Sequence, residues 1–286
     1  MNKVNDIYNQ AIKVSQNLVE DIRFSRGINL ETVQACATQI CDCLNKNSNI
    51  MEILISVQDK NRYLFSHPVD VAFIAYVIGK WMSLKQPELY HLVCAGLLHD
   101  IGKAKVKDRI LNKPDKLTEQ EMEKVRSHSV IGYQILADLN CLDEVILTGV
   151  LSHHERLDGT GYPYGLKGEE IGIYGRIIAI ADIYDAITST KAYQAKSTPF
   201  KAIEEIQASS FGTLDPRICQ VFMNHVIDYT YGSQVRLSNE LIGEIIYINP
   251  VEKTKPIIRC ENEYFNLTVE RDIEIVELLY HTTEFV

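Results

Sequence analysis

The spacing of apolar residues predicts helices through the first part of the chain. Apolar side chains recur at helical intervals through Ile7, Ala11, Val14 and Leu18. A second helix is predicted over the segment ETVQACATQICDCLNK. This N-terminal lead-in, residues 1–60, contains no group with evident chemistry. It is interpreted as a packing scaffold, a dimer face or the stub of an element that receives an input signal.

Helices also dominate residues 61–231. The pattern Thr118-x-x-Glu121 is a capping box, and it predicts a helix that continues through MEKVRSHSVIGYQIL. A loop with four glycines, LDGTGYPYGLKG, interrupts the helical pattern. Further helices are predicted over HPVDVAFIAYVIGKWM, ELYHLVCAGLLHDIGK, EVILTGVLSHHE, RIIAIADIYDAITST, PFKAIEEIQAS and PRICQVFMNHVIDYT.

The pattern changes after Gly232. The segments QVRLS, EIIYINP, PIIRC and EYFNLTV are short, rich in β-branched residues and separated by turn residues. They predict a small β-rich unit over residues 232–286. The expected fold class is therefore mostly α, a helical bundle at residues 61–231 between a helical lead-in and a C-terminal β-unit.

Composition and charge narrow the class of protein. Of the 286 residues, 46% are hydrophobic and 23% are charged, which is typical of a globular protein. The net charge of −9 argues against a broad basic surface for duplex nucleic acid. The seven cysteines form no C-x-x-C motif, and neither a signal peptide nor an apolar segment of membrane-spanning length is evident. These features predict a cytoplasmic protein that does not bind a membrane.

One group of polar residues interrupts the apolar helices. His99 and Asp100 are adjacent in LLHDIGK, and adjacent side chains on a helix diverge by about 100°. They could approach a metal pair from two directions, and a carboxylate can bridge two cations whereas an imidazole cannot. Lys103 lies one turn further on, where it could bind a phosphate oxygen. By itself, the dipeptide is better explained as a buried pair that closes a helix.

Other interruptions strengthen the metal interpretation. The pair His153 and His154 ends an apolar helix, and two imidazoles are costly to bury without partners for their polar atoms. Asp182 lies within the apolar segment IIAIADIYDAI, and Asp185 follows one turn later. Taken singly, His128 and the histidine at position 67 are uninformative.

Together these residues predict a metal centre. Imidazole and carboxylate ligands favour iron, manganese or zinc, and the lack of thiolates argues against a structural zinc. Seven ligands exceed the needs of one ion and fit two ions about 3.5–4 Å apart. The reaction class is phosphoester hydrolysis, with a metal-bridging hydroxide as the nucleophile. The candidates are His67, His99, Asp100, His128, His153, His154 and Asp182.

The motifs around these residues resemble those of the HD-GYP phosphodiesterases, a branch of the HD phosphohydrolase superfamily. The resemblance extends from about Tyr63 to Phe222 and includes LLHDIGK, His128 with Gly132, HHERLDGTGYP, LKGEEI and ADIYDAITS. It implies an all-helical core, a two- or three-metal centre and hydrolysis of cyclic di-GMP to pGpG or GMP. It also implies the seven metal ligands given above.

The resemblance further implies roles at the substrate. Asp100 would bridge the ions and Lys103 would neutralise the scissile phosphate, which makes these two the predicted catalytic residues. Gly161, Tyr162 and Pro163 would shape a loop over the substrate, either by packing on a base or as a rigid lid. Besides this loop, the predicted substrate contacts are Lys103 itself, Asp185 and Lys191.

Departures from the family pattern leave alternatives open. Tyr63 stands where some members place a glutamate on a third metal, so two ions, iron or manganese, are expected. Lys191 and Gln194 stand where many active members carry an arginine and a second basic residue. The substrate could therefore be another cyclic dinucleotide, such as cyclic GMP-AMP, or the protein could be a non-catalytic sensor. A homodimer is the one protein partner predicted.

Overall fold

The structure is a computed structural model that describes residues 2–46, 63–189 and 198–279. Two 3₁₀-helices cover Ile101–Lys105 and Gly168–Glu170. The α-helices are α1 (Asn2–Arg23), α2 (Leu30–Lys46), α3 (Tyr63–Trp81), α4 (Gln86–Leu98), α5 (Asp108–Leu111), α6 (Glu119–Arg126), α7 (His128–Ala137), α8 (Glu144–Ser152), α9 (Ile173–Thr188), α10 (Pro199–Ser210) and α11 (Pro216–Thr230).

The C-terminal part is an antiparallel sheet with the strand order β4-β3-β2-β1-β5. The last strand was not predicted. It pairs with β1 at one edge of the sheet, and its residues are partly or fully exposed, so they lack the alternation of buried and exposed side chains that marks a strand in the sequence. The strands are β1 (Gln234–Leu237), β2 (Ile242–Tyr247), β3 (Ile257–Cys260), β4 (Glu263–Asn266) and β5 (Ile275–Leu279).

Helices α3 and α4 form the centre of the helical part. Helix α3 is apolar around most of its circumference, as expected for a helix surrounded by others. Helices α1, α9 and α11 pack against it, and α2 and α8 pack against α4. Because the site's residues lie on α3, α9 and the ends of α4, α7 and α8, this packing brings them together.

The helix predicted from Thr118 is interrupted. The capping box is present, since Thr118 Oγ1 accepts from the Glu121 backbone N–H at 3.3 Å and a Glu121 carboxylate oxygen accepts from the Thr118 N–H at 2.9 Å. The prediction of one continuous helix is wrong, because α6 ends at Arg126 and α7 begins at His128. The Ser127 hydroxyl donates to the Lys124 carbonyl oxygen at 2.8 Å, a local bond that competes with the helical pattern.

A contiguous group of buried apolar side chains runs from Val4 in α1 to Leu267 after β4. The lead-in and the sheet therefore share the core of the helical bundle. The boundaries at residues 60 and 231 stay predictions. Among the described helices, none has the length and apolar character needed to cross a membrane.

Candidate metal centre

Most of the predicted metal ligands lie where helices end. His99 is the residue after α4 and Asp100 follows it, while His128 is the first residue of α7. His153 is the residue after α8, and His154 follows it. The chain turns at these ends, which is what lets neighbouring ligands diverge. The remaining two, on α3 and α9, lie within helices.

Asp100 lies between two groups of ligand atoms. Its Oδ1 is 3.3 Å from His128 Nε2, and its Oδ2 is 3.4 Å from His99 Nε2 and 3.5 Å from His67 Nε2. The potential ligand atoms of each group lie within 4.8 Å of one another. One group consists of His67, His99 and Asp100, and the other of Asp100, His128, His153 and His154.

Hydrogen bonds on the far side of three rings determine which nitrogen faces the centre. In each ring Nδ1 donates to the carbonyl oxygen three residues earlier, at 2.7 Å for His99, 2.6 Å for His128 and 2.7 Å for His153. The proton of a neutral imidazole is therefore on Nδ1, and Nε2 carries a lone pair. This arrangement is the usual one for a histidine that binds a metal through Nε2.

The lone pairs face one another. His128 Nε2 is 3.3 Å from His153 Nε2 and 3.3 Å from Asp100 Oδ1, with no proton to share between them. Among the described residues, His99 Nε2 and Asp100 Oδ1 are buried without a hydrogen-bond partner. Such atoms are costly to bury unless a cation lies between them. The donor set thus fits divalent metal ions.

The protonation states agree with metal binding. Burial, followed by the neighbouring histidines, holds the pKa of His153 well below its usual range, and burial lowers the pKa of His154 to about 3. Burial would raise the pKa of Asp100, but Lys103 and His99 outweigh it and hold that pKa well below the ordinary value. At neutral pH His153 and His154 are therefore neutral and Asp100 is ionised, the forms that bind metals. Burial would lower the pKa of His67, but its hydrogen bonds to Asp182 and Asp185 outweigh burial and raise that pKa to about 10, so a metal would have to displace a proton from this ring.

Asp182, which lies on α9, contacts both groups of ligand atoms. Its Oδ1 is 3.2 Å from His67 Nε2, and its Oδ2 is 3.9 Å from His154 Nδ1. Burial would raise the pKa of Asp182, but the hydrogen bond and charge of His67 outweigh it and lower that pKa. This position agrees with the predicted role of Asp182 as a ligand.

Asp185 lies behind His67 instead of facing a substrate. Its Oδ2 is 2.6 Å from His67 Nδ1, its Oδ1 accepts from the Ser189 hydroxyl at 2.6 Å, and its side chain is fully buried. The sequence predicts it as a substrate contact, and we revise that role. A carboxylate on the outer nitrogen of a ligating histidine orients the ring and raises its basicity.

In the part of the chain that the structure describes, Lys103 is the cation nearest to the shared carboxylate of Asp100. It lies in the 3₁₀-helix after Asp100, and its Nζ donates to Asp100 Oδ2 at 2.5 Å. About a third of its side chain (32%) is exposed, so the ammonium group can reach a ligand from this position. The predicted Lys191 and the neighbouring Gln194 lie outside the described residues.

The Gly161–Pro163 loop packs over one side of the centre. The Tyr162 ring stacks on the His154 ring with centroids 4.6 Å apart, and the Arg126 guanidinium lies 5.6 Å from its centroid. A side chain at Gly161 would collide with the backbone of residues 154–156. Because the ring already contacts a predicted ligand, the rigid-lid alternative agrees better with the structure than base stacking.

Glu155 holds this loop and was missed by the sequence analysis. Its two carboxylate oxygens accept from the backbone N–H groups of Tyr164 at 2.7 Å and Leu166 at 3.0 Å, and the residue is only 3% exposed. The available signal was an acidic residue next to two histidines at the end of an apolar helix.

Comparison with known proteins agrees with this geometry. The profile described as "HD domain" matches residues 49–218. The chain therefore belongs to the HD domain family, and the motifs that predicted an HD-GYP protein lie within the matched region.

Several curated relatives have names that state an activity. The chain is 34% identical over 230 residues to a cyclic di-GMP phosphodiesterase of Pseudomonas aeruginosa. The matched region covers 80% of this chain and 55% of the relative. It is 32% identical to a 3'3'-cGAMP-specific phosphodiesterase of Vibrio cholerae, over 72% of this chain and 46% of that one. The chain thus spans about half the length of these relatives.

One solved structure supports the fold. A HDG"Y"P protein from Bdellovibrio bacteriovorus superposes with a TM-score of 0.64 over 78% of this chain and 71% of its own. Only 16% of the residues are identical, so this likeness concerns the fold alone. It confirms the predicted mostly α architecture.

Proposed function

We propose that this chain is a metal-dependent phosphodiesterase that hydrolyses cyclic di-GMP to pGpG or GMP. The observation that carries the proposal is a set of three facing acceptors, in which His128 Nε2 lies 3.3 Å from His153 Nε2 and 3.3 Å from Asp100 Oδ1 with no proton between them. These three atoms would hold a divalent cation, which would supply an electrophile beside Lys103. The names of the curated relatives support the substrate class.

Four residues would have separate roles in the reaction. Asp100 belongs to both groups of ligand atoms and would bridge two ions, iron or manganese. Metal ions bound there supply activation of water and neutralisation of phosphate charge. Lys103 would bind the phosphate oxygen that gains negative charge. Asp185 would keep His67 oriented, and Tyr162 would shield one side of the centre from solvent.

The first test is hydrolysis of cyclic di-GMP by protein loaded anaerobically with ferrous iron and, separately, with manganese. We expect pGpG or GMP as the product, resolved by chromatography. Asp100→Ala should abolish turnover and reduce the bound metal, while Lys103→Ala should keep the metal and lower the rate. Lys201→Ala, on the exposed side of α10, is the matched control. Normal turnover by Asp100→Ala would contradict the bridging role.

A second candidate substrate is cyclic GMP-AMP, because a relative of similar identity is named for it. Competition between the two dinucleotides for the metal-loaded protein separates these substrates through their ratio of kcat/KM. Binding of a dinucleotide by fully metallated protein without any product would instead indicate a sensor.

Two further expectations are part of the proposal. We propose that the reaction takes place in the cytoplasm, which the seven free cysteines support, because thiols stay reduced there. A homodimer remains a prediction. The apolar faces of α1 and α2 pack against the rest of this chain, so a dimer would use other surfaces of the lead-in.

A further inference from the structure

A cavity joins the lead-in helix to the metal centre. It contains about 610 Å³ of space, including its opening to solvent. From the centre it is lined by His67, Asp100 and Lys103, and from α1 by Ser15, Val19 and Arg23. The lead-in therefore forms one wall of the space beside the predicted ligands.

The cavity has the chemical character of a nucleotide site. Apolar side chains of Phe65, Pro68, Leu97 and Ile101 form much of its lining, and Lys103 and Arg23 contribute cations from two different elements. Ligand pockets usually combine apolar walls with a few placed polar groups. Apolar surface suits a base or sugar, and the two cations suit phosphate.

Arg23 is positioned with donors to spare. Its Nη2 donates to Asp108 Oδ1 at 2.6 Å, and its Nη1 is 3.4 Å from Asp108 Oδ2. A guanidinium has five N–H donors, so this pair leaves others for a second acceptor. The side chains of Arg23 and Asp108 are 27% and 63% exposed, and ion pairs this open to solvent are weak. A phosphate could therefore displace or share the Asp108 carboxylate at little cost.

The end of α1 is fixed to the segment that carries Lys103. Lys105 Nζ donates to the Ile22 carbonyl oxygen at 2.7 Å, one residue before Arg23. Lys105 is the last residue of the 3₁₀-helix that contains Lys103. The two cations therefore belong to elements that are tied together, so their separation is set by the fold.

We infer that Arg23 is a substrate-binding residue that contacts the second phosphodiester group of a cyclic dinucleotide while Lys103 contacts the first. The inference rests on the proposed function. A cyclic dinucleotide has two phosphodiester groups and only one is cleaved at a time. A cation across the cavity from the metal centre would thus bind the group that is not reacting. The lead-in would then contribute to specificity as well as to packing.

The experiment compares two substrates with metal-loaded protein. Cyclic di-GMP carries two phosphodiester groups, whereas bis(p-nitrophenyl) phosphate carries one. Arg23→Gln should raise KM for cyclic di-GMP about tenfold, as expected for the loss of a charge-assisted hydrogen bond, and leave kcat within about twofold. It should not change kcat/KM for the smaller substrate. Arg23→Lys should restore part of the affinity.

Two variants separate binding from packing. Arg26→Gln is the matched control, because Arg26 lies three residues further on, over the Phe24 ring, and does not line the cavity. Asp108→Asn removes the partner of Arg23 and should not raise KM. A rise in KM in Asp108→Asn equal to that in Arg23→Gln would show that the ion pair only fixes α1, and the inference would fail.

The outcomes distinguish this inference from the proposed function. Unchanged KM in Arg23→Gln, with normal turnover by the wild type, overturns the inference alone. Lack of turnover by the wild type overturns the proposed function, and calorimetric binding of cyclic di-GMP then decides the role of Arg23. Weaker binding by Arg23→Gln than by Arg26→Gln supports the inference, and equal or absent binding overturns it.

Discussion

At the scale of single residues, the orientation of each candidate histidine ligand is set by a hydrogen bond on the ring nitrogen that faces away from the centre. A histidine whose Nδ1 donates to a carbonyl oxygen presents a lone pair at Nε2, and three of the five histidines among the predicted ligands do so. The carboxylate of Asp185 has the corresponding position behind His67. These partners restrict each ring to one orientation before any metal binds.

Glu155→Gln tests the residue that holds the Gly161–Pro163 loop. A glutamine has one acceptor oxygen, so one of the two N–H groups, of Tyr164 or Leu166, would face the amide nitrogen without a partner. We expect a loss of about 1–3 kcal/mol in the free energy of unfolding, together with slower hydrolysis and unchanged metal content. Thermal melting, metal analysis and rate measurements check this.

Glu170→Gln is the matched control in the same loop region. Its carboxylate also accepts a backbone N–H, that of Lys167 at 2.8 Å, but the residue is exposed and water can replace the bond. It should melt and turn over like the wild type. Equal behaviour of the two variants would show that Glu155 does not position the loop.

The sequence indicated which residues are candidate ligands, but not which residues lie behind them, and it gave Asp185 a different role. A histidine pair or an aspartate in an apolar helix is conspicuous, because burial of a polar group requires a partner. Glu155 contacts the backbone of the Gly161–Pro163 loop region, and Asp185 contacts His67, which is distant in the sequence. These contacts depend on tertiary structure, so the sequence can mark such a residue as unusual, as it does Glu155 beside two histidines, but cannot identify its partner.

At the scale of secondary structure, helix ends position the centre. The sequence predicts His99 and Asp100 within a helix, whereas α4 ends at Leu98 and a 3₁₀-helix follows. The break between α6 and α7 places His128 at the start of a helix. Both interruptions occur within segments of continuous helical periodicity, so the pattern of apolar residues locates the elements but not their ends.

Gly102→Ala tests how closely two of these elements approach. A Cβ at Gly102 would overlap the carbonyl oxygen of His128 and lie 2.7 Å from the Gly132 backbone nitrogen. Since these are backbone atoms, α7 would have to shift and take His128 with it. We expect a loss of about 1–3 kcal/mol in stability and reduced metal content, measured by thermal melting and metal analysis.

Gly27→Ala provides the comparison for this substitution. No atom lies within 4 Å of a Cβ built at Gly27. Its stability should stay within about 0.5 kcal/mol of the wild type, with full metal content. Full metal occupancy in Gly102→Ala would contradict the view that this contact positions His128.

At the scale of the whole molecule, the helical bundle and the C-terminal sheet followed from hydrophobic periodicity. The contact between the lead-in and the metal centre was not predicted. Its buried face was visible in the sequence, but its hydrogen bond from Tyr8 to Asp70 at 2.6 Å and its place beside the metal centre join residues far apart in the chain. Such contacts between distant segments are what periodicity cannot supply.

The number of metal ions is a property of the assembled centre and can be tested by replacing one ligand at a time. His99 belongs to one group of ligand atoms, His153 to the other, and Asp100 to both. We therefore expect about two ions per chain in the wild type, about one in His99→Ala and in His153→Ala, and fewer than one in Asp100→Ala. Metal analysis of protein reconstituted with manganese measures this directly.

The thermal stability of these variants should fall in the order of their metal content, because an ion that binds only the folded state stabilises it. The stabilisation is about 2.7 kcal/mol at a free ion concentration 100 times the Kd. Chelator should lower the melting temperature most in the wild type, less in His99→Ala and His153→Ala, and least in Asp100→Ala. His225→Ala, whose ring stacks on Trp81 outside the centre, should retain the full response to chelator. An equal response in Asp100→Ala and His99→Ala would mean that the two groups do not share Asp100 as a bridging ligand.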